Sequence, residues 1–270
     1  MAARAKSKIA ITLYNLREYT KEPRRIAATL RRVRKIGFEN VQISGGGLMQ
    51  VDPRELRKMA DDAGVDIIGS HVGLGGFRTD LAGLIDRLHA WGCPYVAIPS
   101  LPAEERDSAA KWRKLAREFT RYGRKLADAG ITVQYHNHAF EFRRFGVRGG
   151  KGGRRGLEIL FEQSDPKYLQ SELDMGWIAR GGGDPAAYVK WLSGRLDQVH
   201  VKDWGIVENQ GEPVWMPIGE GNLNHPAALK ACKAAGVKHY IYEQDNCPTT
   251  KDEWKAAEIS FNNMRELGLK

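Results

Sequence analysis

The stretch "ITVQYHNHAFEF" (131–142) begins apolar and then places His136, Asn137, His138 and Glu141 within six positions. In an extended segment residues i and i+2 share a face, so His136 and His138 project together. The spacing recurs downstream: Glu172 and Asp174 in "SELDMGW", His200 and Lys202 in "VHVKDW", Glu243 and Asp245 in "YIYEQD". Charged groups inside a protein are costly unless they pair or bind an ion. Imidazoles and carboxylates without thiolates suit a divalent cation of intermediate hardness: manganese, cobalt, magnesium or zinc. A coordination position left open accepts a substrate oxygen. Each residue also has a plainer reading. Asp174 caps a helix, His200 bonds backbone in the core, Glu243 pairs with Lys202, and Lys202 pairs with Asp174 or Glu172. His71, in "GSHVGL", contacts substrate or supports a ligand. Four segments bringing such groups together favour the ion.

Elements must carry these groups to one place. Strand-like segments at 9–16, 40–46, 65–74, 94–100, 131–138, 169–177, 197–204 and 238–245 alternate with helix-like ones from end to end. Amphipathic helices are expected over 22–36, from about Asp52, over 78–92 and 103–130, from about Leu157, over 184–194, from about Asn224 and over 250–267. Asp184 and Pro185 form a helix start. Eight such units predict an α/β fold, a closed parallel (β/α)8 barrel, whose active groups sit at the C-terminal ends of the strands. An open doubly wound sheet is the alternative. It needs a phosphate loop after the first strand, and "LYNLREYTKE" has neither GxGxxG nor a Walker pattern.

The length of 270 residues fits one such barrel, which typically takes about 250. A single domain over 1–270 is expected, with residues 1–8 a flexible tail. There is no apolar run of membrane-spanning length. Three widely spaced cysteines, Cys93, Cys232 and Cys247, form no disulfide framework, which fits a reducing, cytoplasmic setting. The net charge of +9 raises nucleic acid as a partner, but the basic residues form no single stripe. Arg24, Arg25, Arg31, Arg32, Arg34 and Lys35 read as a solvated helix face. The segment "RRFGVRGGKGGRRG" (143–156) follows the fifth strand, so on a barrel it lies on the active face. It gathers an anionic sugar or is a solvated insertion.

The motifs "YHNHAFEF", "ELDMGWIARGGGDPAAYV", "GRLDQVHVKDW", "PIGEGNLNHPAALKACKAAG" and "YIYEQD" resemble the sugar phosphate isomerase/epimerase family of xylose isomerase-like TIM barrels. The likeness runs from about residue 9 to the C-terminus and is most specific in the second half. It implies one divalent metal, commonly manganese, at the ends of strands five to eight. In that superfamily the ligands run Glu, Asp, His, Glu. Asp174, His200 and Glu243 match the last three. His136 aligns where relatives carry the first glutamate; Glu141 is the preferred first ligand here because it keeps the usual charge. This departure bears on mechanism, since relatives use the two ligand glutamates as paired bases.

The chemistry implied is proton abstraction beside a carbonyl, through an enediolate, giving epimerisation or isomerisation of a sugar. With a leaving group β to the carbonyl the same site is a lyase, a 3-keto-glycoside lyase or a dehydratase. His136, His138 and Glu243 are the candidate acid/base groups, and Lys202 steadies a developing oxyanion. His71, Trp177 and Asp245 are the candidate substrate contacts; Trp204 and Trp215 also offer an apolar wall. The apurinic endonucleases of the same superfamily hold a multi-metal cluster, but strands two and four bring no ligands here. A non-catalytic sugar-binding barrel is a third reading. The expected partner is a small sugar, with no nucleic acid and no membrane. Barrels of this kind often pair, which keeps a homodimer among the expectations.

Overall fold

A computed structural model describes residues 7–146, 152–208 and 211–270. Its strands are β1 (Ile9–Thr12), β2 (Asn40–Ile43), β3 (Asp66–His71), β4 (Tyr95–Ile98), β5 (Thr132–His136), β6 (Arg144–Phe145), β7 (Arg154–Arg155), β8 (Gln170–Asp174), β9 (Gln198–Val201), β10 (Asp203–Gly205), β11 (Val214–Met216) and β12 (His239–Tyr242). Eight of them close into a barrel in the order β1-β12-β9-β8-β5-β4-β3-β2. Every ladder around the ring is parallel. The remaining four form two antiparallel ribbons, β6–β7 and β10–β11.

The ring forms because its strands are buried on both faces. The large core lies between strands and helices; a small apolar plug of Ala10, Ile68 and Ile241 sits separately. The amide of Gln42 on β2 bonds Glu172 on β8. These strands are not neighbours, so that bond crosses the barrel interior. Burying such groups is tolerable because they bond one another.

The helices start where side-chain caps meet amphipathic runs. Asp52, Ser108, Asp184, Asn224 and Asp252 cap the helices Pro53–Ala63, Ala109–Ala127, Pro185–Trp191, His225–Ala234 and Glu253–Glu266. The helix expected over 78–92 is divided: Leu74–Thr79 ends at Asp80, whose carboxylate accepts the Gly83 N–H and starts Leu81–Trp91. The strands are shorter than expected for a similar reason. β1 stops at Thr12, which caps a 3-10 segment over Leu13–Tyr19. β8 stops at Asp174, which caps Met175–Arg180.

Of the expected tail 1–8, residues 1–6 lie outside the described residues; Lys8 donates its N–H to the Lys270 carbonyl and accepts the Tyr240 N–H. Among the described residues no helix is long and apolar enough to cross a membrane. The basic helix Pro23–Ile36 exposes Arg24, Arg25, Arg31, Arg32 and Lys35. Arg32 lies over the Trp254 ring.

Candidate metal centre

Four side chains converge at the C-terminal mouth of the barrel. His136 ends β5, Asp174 ends β8, His200 lies on β9, and Glu243 follows β12. All four are buried, and each offers one ligand atom within 4.8 Å of the others. His200 Nδ1 is 2.7 Å from Glu243 Oε2. His136 Nε2 lies 3.9 Å from both Asp174 Oδ2 and Glu243 Oε2. Below them, Glu172 Oε2 is 2.6 Å from His71 Nε2.

Two asparagines hold the carboxylates in place. Asn137 accepts the Asp174 N–H at 3.0 Å and donates to the Asp174 carbonyl at 3.4 Å. Asn15 accepts the Gln244 N–H at 2.9 Å and donates to the Tyr242 carbonyl at 3.2 Å. The backbone on both sides of Glu243 is therefore pinned. Asp174 divides its carboxylate: Oδ1 accepts the Trp177 N–H at 2.8 Å, and Oδ2 turns toward the cluster. The helix-cap reading of Asp174 and the ion reading thus describe two different oxygens.

Lys202 is buried beneath Trp177 and Trp215. Its Nζ lies 3.3 Å from Asp174 Oδ2, 3.3 Å from Glu243 Oε2 and 3.0 Å from Asp245 Oδ2. Burial opposes the charge, yet these three carboxylates outweigh it and hold the ammonium charged. Burial likewise raises Glu243, but Lys202 and His200 overcome it and hold the carboxyl well below its usual range. Burial pushes Asp174 up to about 7. It holds His136 well below the ordinary imidazole range, helped by the neighbouring His200. His200 differs: burial is outweighed by Glu172 and Glu243, and its pKa rises to about 10.

A divalent ion suits this arrangement on three counts. The donor set is two imidazoles and two carboxylates, which matches ions of intermediate hardness. Asp174 Oδ2 is buried with no aligned hydrogen bond among the described residues. A cavity of about 320 Å³ opens over the cluster, lined by residues ending or following barrel strands, among them Tyr14, Ser44, His71, His138, Glu243 and Asp245. The cluster therefore opens to a cavity on the same face.

Residues 30–263 match the family model described as "xylose isomerase-like TIM barrel". The chain belongs to that family. Among curated relatives, inosose dehydratase of Geobacillus kaustophilus is 24% identical over 182 residues, covering 58% of this chain and 56% of that protein. The chain thus spans about half the length of that relative. Among solved structures, a sugar phosphate isomerase/epimerase from Parabacteroides distasonis superposes with a TM-score of 0.78 at 23% identity, covering 98% of this chain and 96% of the other. L-ribulose 3-epimerase superposes with a TM-score of 0.71 at 17% identity, covering 97% and 94%. These structural likenesses concern the fold.

This xylose isomerase-like barrel brings Asp174, His200 and Glu243 together, and the residue that joins them is His136. Glu141, the expected first ligand, is placed elsewhere. Its carboxylate accepts the His138 N–H at 3.0 Å on both oxygens and the Tyr135 hydroxyl at 2.7 Å. Tyr135 alternates with His136 along β5 and so faces the opposite side of the sheet. Glu141 follows it there, into the wall behind the strand, where burial pushes its carboxyl up to about 7.

His138 lines the cavity and packs against Trp177 at 5.2 Å between ring centroids. Burial, with Lys202 adding, lowers it to about 4, so it is a neutral imidazole near neutrality. His71 and Asp245, the candidate substrate contacts, line the cavity. Trp177 is not among the described lining residues; it packs tilted against His138 and meets Trp215 edge-on. Trp204 belongs to the β10–β11 ribbon, paired with Trp215. That ribbon is anchored by Asp203, which accepts N–H groups from Trp204, Gly219, Gly221 and Leu223.

Of the basic Gly-rich segment, 147–151 lie outside the described residues. Arg154 and Arg155 pair with Glu158, Arg154 also contacts Glu162, and neither arginine is among the described lining residues. Gln42, Asn15 and Asn137 carried a signal that ligand-type reasoning passed over: amides inside or beside otherwise apolar strands. Such amides are costly to bury without a specific partner.

Proposed function

We propose that this barrel is a divalent-metal-dependent sugar isomerase or epimerase that removes a proton from a carbon beside a carbonyl. The observation that carries the reading is the convergence of His136, Asp174, His200 and Glu243 beneath an open cavity. Those four residues hold the ion, with manganese the first choice and cobalt, magnesium or zinc the alternatives. When bound, the ion supplies Lewis acidity that polarises a carbonyl and its neighbouring hydroxyl.

The chain's own groups do the rest. Two bases face the cavity: Glu243, held ionised, and His138, held neutral. Either accepts a carbon-bound proton and returns it to the same carbon or to its neighbour. His136 stands in the ligand set and leaves general-base work to these two. Lys202 offers charge beneath the site for the developing oxyanion, and His71 and Asp245 contact the substrate's hydroxyls. The glutamate pair of relatives is replaced here by one glutamate and one imidazole.

A second reading is dehydration by β-elimination, favoured by the likeness to inosose dehydratase. Both begin with the same proton abstraction and part at the next step. Incubation of the manganese-loaded protein with ketoses and keto-inositols in D2O, followed by NMR, separates them. Deuterium entry with a new epimer or isomer supports the first; loss of a hydroxyl with formation of an unsaturated ketone supports the second. A loaded protein that exchanges no carbon-bound hydrogen in any of these sugars refutes both.

A further inference from the structure

Two overlapping groups of metal-type residues occupy the barrel mouth. One is His136, Asp174, His200 and Glu243; the other is His71, His136, Glu172 and His200. They share both imidazoles, and Glu172 distinguishes them. Glu172 is fully buried, one layer below Asp174 on the same face of β8. Its Oε1 accepts from Gln42 Nε2 at 2.6 Å across the barrel, and its Oε2 faces His71 Nε2 at 2.6 Å.

The same Oε2 stands 3.3 Å from His200 Nε2 and 3.5 Å from His136 Nδ1. Those two nitrogens are buried and have no aligned hydrogen bond among the described residues. The ring positions are set by packing. His71 and His200 stack at 5.3 Å and 11°, and His136 meets His200 edge-on at 4.6 Å.

We propose that Glu172 is a positioning residue that fixes the tautomers of both His136 and His200 in the ion-loaded protein, keeping their lone pairs on the Asp174–Glu243 side. The idea rests on the proposed function, in that the ion belongs to the upper group. A ring nitrogen that turns its lone pair toward a carboxylate oxygen is repelled, and one that turns its N–H is attracted. Glu172 therefore draws a proton to Nδ1 of His136 and to Nε2 of His200; without an ion, Glu243 at 2.7 Å holds a second proton on Nδ1 of His200, and a bound ion would displace that one. The opposite nitrogens, Nε2 of His136 and Nδ1 of His200, are those that approach Asp174 and Glu243. One oxygen thereby orients two ligands, the arrangement by which carboxylates behind metal-bound histidines set ring orientation and basicity. Glu172 itself is a poor ligand, since both oxygens already take short bonds from Gln42 and His71.

The test is long-range 1H–15N NMR of the histidine rings in the zinc-loaded protein, with zinc affinity measured by chelator competition. In the wild type His136 is expected to carry its proton on Nδ1 and His200 on Nε2. Glu172→Met removes the acceptor and is expected to scramble those signals and weaken zinc binding by about 10–100-fold. Glu172→Gln keeps a carbonyl acceptor in the same volume and is expected to recover the ring signals and most of the affinity. Asp174→Asn is expected to weaken binding while leaving the ring protons in place.

A wild-type spectrum with zinc on Nδ1 of His136 or Nε2 of His200 overturns the proposal, and needs no variant to fold. So does a Glu172→Met protein with unchanged ring signals and affinity. If the wild type takes up no ion, the functional reading fails. The ring signals of the ion-free protein then still decide the positioning role, upheld if the Nδ1 proton of His136 is lost in Glu172→Met and overturned if it persists.

Discussion

Asn137 grips the backbone of Asp174 at both of its polar groups, N–H and carbonyl, from the adjacent strand. The residue between the two histidines of "YHNH" is thus a clamp, aimed away from the cluster and fixing its neighbour. Asn137→Ala leaves a buried N–H and carbonyl without partners, at a cost of about 1–3 kcal/mol. Metal affinity is expected to fall about tenfold as Asp174 loosens. Urea unfolding and isothermal calorimetry check the two effects; unchanged affinity removes Asn137 from the support of the site.

Lys202 balances three carboxylates, two of which, Asp174 and Glu243, belong to the candidate ligand set. Lys202→Met leaves them uncompensated, and breaking such a buried pairing costs about 3–5 kcal/mol. Manganese is expected to restore much of this loss. The rise in Tm on adding manganese is therefore larger in the variant than in the wild type. An equal rise in both separates Lys202 from the ion's electrostatics.

Glu243→Gln removes the anionic base that lines the cavity and shortens the charge of the ligand set. Turnover on whichever sugar proves to be the substrate is expected to fall by about 10²–10⁴-fold, measured at saturating manganese. Retained turnover rules out the role given to this residue.

Glu141 provides a pH test remote from catalysis. Its ordinary value is 4.5, and burial pushes it up to about 7 in the fold. Between those values the native state binds more protons than the unfolded chain, so stability falls as pH rises through the window. The loss is on the order of 3 kcal/mol. In Glu141→Gln that slope is absent, and the stability advantage of the wild type over the variant shrinks across the window. Urea unfolding of both proteins from pH 4.5 to about 7 reads it; parallel curves contradict it.

The barrel was legible in the sequence because eight apolar segments alternate with capped amphipathic runs. The convergence of His136, Asp174, His200 and Glu243 was legible because residues two apart on a strand share a face. Glu141 lies outside the cluster because the same rule does not reach past the strand. The strand ends at His136, and the 3-10 turn over Phe140–Phe142 sends Glu141 back against Tyr135. No periodicity reports where a turn points. Gln42 was likewise hidden, because its partner Glu172 is 130 residues away and only ring closure brings them within reach.

The strands that supply the candidate ligands, β5, β8, β9 and β12, are consecutive around the ring. The opposite arc, β1 to β4, lends the cavity Tyr14, Ser44, His71 and Ser100. The candidate ligands thus fall on one arc of the cylinder and much of the remaining cavity wall on the other, encoded by separate stretches of the chain, with His138 and Asp245 adding to that wall from the ligand arc. On the proposed function, substitutions in the N-terminal half change which sugar is taken while leaving the four candidate ligands in place.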